Sequence, residues 1–523
     1  VIKVRKWLPL LAVCMGTFML LIDVTIVNVA LPQMAASLHT SFSSLQWVVD
    51  AYAVALAALV LGTGSLGDLS GHRSTYIGGL ALFAISSLVC GLAPNAGVLI
   101  TARLVQGAGA AAMFATTVAL LTGSYSGRDR GTAFGMWGAV AGASAAVGPI
   151  IGGVLTQLVS WRWIFFVNLP VSVAAIALCL RVLTDEPRTG RVQVDVLGMA
   201  FFSAAAGELT YAMIRANDHH WLSRATLNLV AAAVLLLIGF VIVERRGGQP
   251  LFDLSLLRNL PFVGVLVSGL AMNFAAFAGL TYASIWLQSV QGLSPIEAGL
   301  TGLPLSLATF VTSAGIGRKL HSASPGTVIG VGLLLIGAGG LIGAVFVHGG
   351  AGWAALIPGY AFIGVGVGLA IPISNAAAMD QVPPHRRGMA GGSVRTMQQL
   401  GYAFGIALMG TVFAARARHV VAGDGLPNVA GVAHTVAGGQ APALLAATPP
   451  DGRAALDATV HAAAVSGLQG VLALSGVLGV LAGLVVLALM RSAPAPVHAA
   501  MGQAPLPGGP TARDPDGPVL IKL

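Results

Sequence analysis

The sequence predicts an all-α polytopic membrane protein. Three observations carry the prediction. The 523 residues are 56% hydrophobic and only 9% charged, where a soluble chain carries about a quarter charged residues. The mean hydropathy is +0.86. Apolar runs of the length a helix needs to cross hydrocarbon recur along the whole chain. They begin near Trp7, Leu45, Thr75, Gly97, Gly131, Trp163, Val194, Ala225, Pro261, Pro295, Pro325, Gly352, Met389 and Ser466.

Fourteen spans put both termini on one side, and the positive-inside rule selects the side. With the N-terminus inside, nineteen of the 27 Lys and Arg residues fall in the tails and loops of that side. Six fall outside, and Arg103 and Arg395 lie within spans. Both termini are therefore expected in the cytoplasm. The first run, from Trp7 to Leu31, is too long for a signal peptide and contains Asp23, so it is expected to remain as a span.

The spans divide as six, two and six. Residues 1–183 form the first expected bundle, 184–259 an inserted two-helix hairpin, and 260–492 the second bundle. The Ala-, Gly- and Pro-rich segment 416–465 is expected as a long extracytoplasmic loop, and 493–523 as a disordered cytoplasmic tail. Gly315-Ile-Gly-Arg-Lys319 weakly echoes the segment Gly64 to Arg73, each following the second span of its six. Duplicated halves around a central site are common in secondary transporters.

Several function classes are excluded. The net charge of +9 comes from scattered basic residues, not from the basic stripe that nucleic acid needs. Cys14, Cys90 and Cys179 lie inside apolar runs with neither disulfide nor metal spacing. Gly62 to Gly67 ends an apolar run rather than a strand, which excludes a dinucleotide fingerprint. The sequence has no Gly-x-x-x-x-Gly-Lys loop and no His-Glu-x-x-His, Gly-x-Ser-x-Gly or metal cluster. No enzyme, cofactor or metal is expected, and an ion gradient becomes the expected energy source.

Ionisable groups inside spans are functional candidates, because each costs several kcal/mol to insert. Asp23 stands in Leu-Leu-Ile-Asp-Val-Thr-Ile-Val-Asn. A carboxyl there can take or lose a proton, which proton coupling requires; a structural carboxylate is the alternative. Arg103, Gln106, Gly107 and Ala110 share one helix face, and the guanidinium can either tune a nearby acid or anchor backbone carbonyls. Asp50 sits near the outer end of span two beside Trp47, as an interfacial or a functional residue. Arg395, Gln398, Gln399 and Tyr402 form a polar stripe at i, i+3, i+4 and i+7. Asn273, Phe277 and Trp286 in span nine are further candidates for a substrate cavity, with ordinary core packing as the alternative.

Span five carries a stripe nearly free of side chains: Gly138, Gly142, Ala145, Pro149 and Gly152. Such a face lets another helix pack backbone to backbone in lipid, and Gly148-Pro149 invites a kink.

Four of these segments together resemble the fourteen-span drug:proton antiporters of the major facilitator superfamily (the EmrB/QacA type), over residues 7–490. Gly148-Pro149-x-x-Gly152-Gly153 is similar to the family's antiporter motif. The Asp23 segment resembles its first-helix motif, and Arg103-x-x-Gln106-Gly its fourth-helix motif, for which the resemblance implies proton transfer. The expected loop from Gly64 to Arg73 resembles the gating motif through Gly64, Leu66, Asp68, Gly71 and Arg73, although Leu69 and His72 stand where basic residues are common. The resemblance implies that Asp68 pairs across the bundle interface. In span thirteen relatives have Asn near 395 and Arg near 398, so here the charge sits one turn earlier.

The function so implied is proton-coupled efflux of amphipathic or cationic small molecules by alternating access, from the bacterial cytoplasmic (inner) membrane, by a monomer. A nutrient uptake symporter and a lipid exporter on the same fold are the alternatives.

Overall fold

The computed structural model describes residues 6–125, 127–184, 195–219, 223–246, 252, 254–319, 323–382, 387–424 and 428–491. All their regular structure is helical. Eleven helices among these residues are long and apolar enough to cross a membrane, and Ser44–Val60 and Val147–Leu158 are shorter apolar stretches. In chain order, the N-terminal group comprises α1 (Leu8–Leu38), α2 (Phe42–Ser70), α3 (His72–Leu92), α4 (Ala96–Ser124), α5 (Gly127–Leu158), α6 (Trp163–Phe166) and α7 (Asn168–Val182). A hairpin follows, α8 (Val196–His219) and α9 (Arg224–Arg246). The C-terminal group holds α10 (Leu260–Met272), α11 (Gly279–Ser289), α12 (Pro295–Leu300), α13 (Leu303–Lys319), α14 (Pro325–Phe346), α15 (Leu356–Asp380), α16 (Arg387–Gly423), α17 (Val429–Ala437), α18 (Ala441–Ala446) and α19 (Pro450–Leu489).

Local chemistry starts these helices. The Ser41 hydroxyl accepts from Ser44 N, and Asn95 from Val98 N, at the starts of α2 and α4. Ser294 and Glu297 form a reciprocal capping box on α12, where Pro295 also suits the first helical position. Outward faces stay apolar: Ile85, Leu235 and Val345 are 62%, 67% and 74% exposed, as lipid-facing side chains should be.

Two segments depart from the sequence expectation. The stretch Gly64 to Arg73 is not a loop: α2 runs to Ser70 and α3 starts at His72, joined by Gly71 alone. Gly71 has φ +98°, a left-handed backbone that a side chain would disfavour. The expected loop 416–465 is largely helical, as the end of α16, then α17, α18 and the start of α19. Its alanines favour helix, and Val432, Ala433, Val436 and Ala437 are buried. The expected tail 493–523 lies outside the described residues.

Span nine is interrupted. Residues Asn273–Phe277 form a π-turn between α10 and α11, with Ala278 N donating to Asn273 O at 3.2 Å. Asn273 Nδ2 also donates to Gly269 O at 3.3 Å. Such a turn widens the helix and re-aims the side chains that follow.

The two groups meet through α1 against α11, α2 against α16, and α5 against α12 and α13. The α5–α12 approach depends on glycine. A Cβ on Gly153 would lie 2.5 Å from Pro295 O, and one on Gly299 would lie 2.5 Å from Pro149 O. The hairpin packs on itself, with the Phe202 and Phe240 rings 5.3 Å apart. Its first helix, α8, also lies against both α2 and α16, so it spans the seam between the groups.

Gly153→Leu should drive α5 from α12, since overpacking costs about 1–3 kcal/mol. The expected result is loss of cross-linking between Gln157→Cys and Ile296→Cys, whose backbone and side chain now meet at 3.4 Å. Gly78→Leu, at a position where no described residue comes within 4 Å of an added Cβ, should leave the cross-link intact. Equal cross-linking in both variants would refute the close-packing account.

Candidate functional site

Asp23 is fully buried in α1 and Arg103 is 1% exposed in α4. Arg103 Nη1 donates to Asp23 Oδ2 and to Gln106 Oε1, the latter at 2.8 Å. Its Nε donates to Val48 O at 3.0 Å, and the guanidinium lies 4.3 Å from the Tyr52 ring centroid. The second carboxylate oxygen accepts from Gln106 Nε2 at 3.1 Å and Asn168 Nδ2 at 3.3 Å. Both amides also reach the Ser87 hydroxyl, at 3.3 and 3.0 Å. Five helices therefore converge on one buried ion pair. Every partner belongs to the N-terminal group.

Removing one member would strand a buried charge, which typically costs about 3–5 kcal/mol. Neutralising Asp23 by a proton instead weakens its hold on Arg103, so protonation and helix arrangement are physically linked. Gln106, expected to line a substrate cavity, is part of this network.

Asp50 is fully buried in α2 and neither carboxylate oxygen has a hydrogen-bond partner among the described residues. An ionised carboxylate without donors is costly there. Around it lie the polar contacts that join the two groups. Gln46 Nε2 donates to the Tyr282 oxygen at 3.2 Å, and Tyr282 Oη donates to Ile406 O at 2.5 Å. Thr281 donates to Asn28 Oδ1 at 2.9 Å, and Asn28 Nδ2 donates to the Tyr402 oxygen at 3.0 Å. Asp50 is near enough to Tyr282 and Tyr402 to act on both electrostatically. Further links run from Gln288 Nε2 to Val29 O at 2.8 Å and from Gln440 Nε2 to Thr40 O at 2.9 Å. All gather towards the end of the molecule where α1 finishes.

Deeper along the same seam is a cavity of about 30 Å³ between α1, α2, α4 and α16, lined by Leu20, Leu21, Val24, Leu56, Phe114, Arg395 and Gln399. Arg395 Nη1 donates to Gln398 Oε1 at 2.8 Å, and its guanidinium lies 4.5 Å from the Phe114 ring centroid. The structure thus brings Arg395 and Gln399 to one space, with Gln398 behind them and Tyr402 one turn on, in the cross-group network. Asn273, Phe277 and Trp286 are not part of this lining. Trp286 is fully buried in the main hydrophobic core, which draws residues from both groups.

The motif glycines of α5 are shared between two neighbours. A Cβ on Gly148 would meet Thr25, and one on Gly152 would meet Ile26, both on α1; Gly153 faces α12. The helix continues through Pro149. Gly138, Gly142 and the Asp68 side chain lie outside the described set. Among the described residues the Ala115 methyl lies 3.9 Å from a Cβ built on Gly64, and Arg73 Nη2 donates to Leu180 O at 3.0 Å.

Sequence reading missed Asn168, Ser87, Asn28, Thr281, Gln46 and Phe114. The two asparagines were discoverable as lone amides in apolar runs. Phe114 carried no signal, because an aromatic in a membrane helix faces lipid, core or cavity with equal ease.

Comparison with known proteins follows this geometry. The chain is 33% identical over 476 residues to the tetracenomycin C resistance and export protein of Streptomyces glaucescens, covering 89% of this chain and 88% of that one. It is 34% identical over 409 residues to the multidrug resistance protein Stp of Mycobacterium tuberculosis, covering 78% and 76%. The puromycin resistance protein of Streptomyces alboniger is 35% identical over 450 residues, covering 83% and 87%. A bacterial homolog of the human lysosomal transporter Spinster, in an inward-facing and unoccupied conformation, shares the fold at TM-score 0.63 and 15% identity, covering 93% of this chain and 97% of that one. Residues 13–406 match the Major Facilitator Superfamily model. With its helices packed as two groups around a central seam, the chain belongs to the Major Facilitator Superfamily of membrane transporters.

Proposed function

We propose that the protein exports amphipathic small molecules in exchange for protons. The observation that carries this reading is the buried Asp23–Arg103 pair, set in the group whose helices form one wall of the seam. The relatives with resistance and export in their names support export over uptake. In this reading the seam opens alternately to the two sides of the membrane. Protonation of Asp23 loosens Arg103 and the five helices it holds, and Asp50 is a second proton carrier beside the contacts that close one end. The electrical driving force is about 2.3 kcal/mol per charge per 100 mV, and no cofactor is needed.

The proposed topology is fourteen spans arranged six, two and six, with both termini in the cytoplasm of a bacterial inner membrane and the monomer as the working unit. The closed end, where Thr40 and Gln440 meet, is then extracytoplasmic, so this conformation is shut to the outside. A membrane-impermeant maleimide added to intact cells should label Gly452→Cys and spare Ser74→Cys until the membrane is permeabilised. The reverse pattern would overturn the topology.

Inverted membrane vesicles energised by respiration test the coupling. Accumulation of an amphipathic dye should collapse with a protonophore, and should fall at least about tenfold in Asp23→Asn, with Asp50→Asn also impaired. Accumulation that ignores the protonophore would overturn proton exchange. Protonophore-sensitive transport untouched by either variant would overturn the residue assignment.

A further inference from the structure

The cavity on the seam has a polarity that the export reading alone does not supply. Its walls are leucine, valine and phenylalanine, and the one charged group among the described lining residues is a cation. A guanidinium has five N–H donors, and Arg395 makes a single hydrogen bond among the described residues, to the neutral Gln398. No carboxylate of a described residue lies within ion-pairing distance of it. Phe114 covers one face of the guanidinium, which holds the group in place while leaving its edge donors unspent. Gln399 lines the same space and makes no hydrogen bond to a described residue. The Nε2 of Gln398, behind them, is buried and unpartnered. A cation and one under-used amide, Gln399, in an apolar lining are incomplete: an anion with an apolar body would satisfy both.

We infer that this cavity is the substrate site, and that it selects organic anions, a carboxylate or ionised phenol on an apolar ring system, with Arg395 as the specificity-determining residue. The inference rests on the export reading and narrows it. It departs from the expectation of cationic substrates, because no acid among the described residues lines the space. Asp50 is not among the lining residues. At about 30 Å³ the cavity now holds little more than a water molecule, so a larger ligand enters when α16 parts from α1 and α4. The apolar walls take the ring system, and Arg395 gives the anionic group a paired, directional contact that lysine reproduces poorly.

The test is equilibrium binding to the purified full-length protein in detergent, with anthraquinone-2-carboxylate, its carboxamide and ethidium as probes. The protein should prefer the carboxylate over the carboxamide by about tenfold or more, the worth of one charge-assisted hydrogen bond. Arg395→Gln should abolish that preference, and Arg395→Lys should keep part of it. Leu56→Glu places a competing carboxylate in the lining and should also abolish it, whereas Leu56→Gln should not; this pair keeps the test decisive if Arg395→Gln fails to fold. Equal binding of carboxylate and carboxamide, or a preference that survives both Arg395→Gln and Leu56→Glu, would overturn the inference. Vesicle transport separates the two readings. Export of ethidium by a protein with no carboxylate preference leaves export standing and removes this site. An Arg395-dependent carboxylate preference without transport of any probe keeps the site and removes export.

Discussion

A carboxylate and a guanidinium buried side by side are the constraint around which the N-terminal helices are arranged. Neither Asp23 nor Arg103 can sit alone in an apolar bundle. Each oxygen of Asp23 must find donors, and Arg103 must find acceptors as well as its counterion. The solution recruits Gln106 from the same helix as Arg103, Asn168 from α7, Ser87 from α3 and the Val48 carbonyl from α2. Because satisfaction is shared, a change in the charge of one member is felt by five helices. A buried polar network with every member paired is stiff, and losing one pairing moves it to a different arrangement.

The seam between the groups is built on the opposite principle. Its contacts are small and separable: glycine backbones on α5 and α12, hydrogen bonds through Asn28, Gln46, Tyr282 and Tyr402, and one buried carboxyl with no hydrogen-bond partner among the described residues. Lipid gives helices no hydrophobic reason to associate, so close backbone approach and lone polar contacts set the affinity of one group for the other. Such an interface is specific yet weak enough to part. The stiff network and the separable seam share α1: Asp23 faces the first, and Asn28, within one and a half turns, faces the second. Movement of α1 therefore carries a change at Asp23 to the seam without a longer route.

Much of this was legible in the sequence. Hydropathy and the scarcity of charge marked helices long and apolar enough to cross a membrane. The scarcity of charge inside spans singled out Asp23, Asp50, Arg103 and Arg395, since membrane burial makes each of them expensive. The glycines of span five marked close packing before any partner was known. The segment 416–465 was misread because Ala, Gly and Pro together resemble a linker by composition, whereas burial of one face of α17 holds it helical.

What the sequence alone determined is the class of the protein, the cost of each intramembrane charge and the faces with little side chain, because these follow from local composition and helical period. What only the tertiary structure decided is which charges meet. Asp23 and Arg103 are 80 positions apart and paired. Asp50 and Arg395 are an acid and a base that form no ion pair with any described residue, one buried among seam contacts and the other on the cavity. Periodicity places a residue on a face of its own helix. Which helix that face meets depends on how glycine contacts and shared hydrogen bonds bring distant helices together, and that is a property of the whole packed chain.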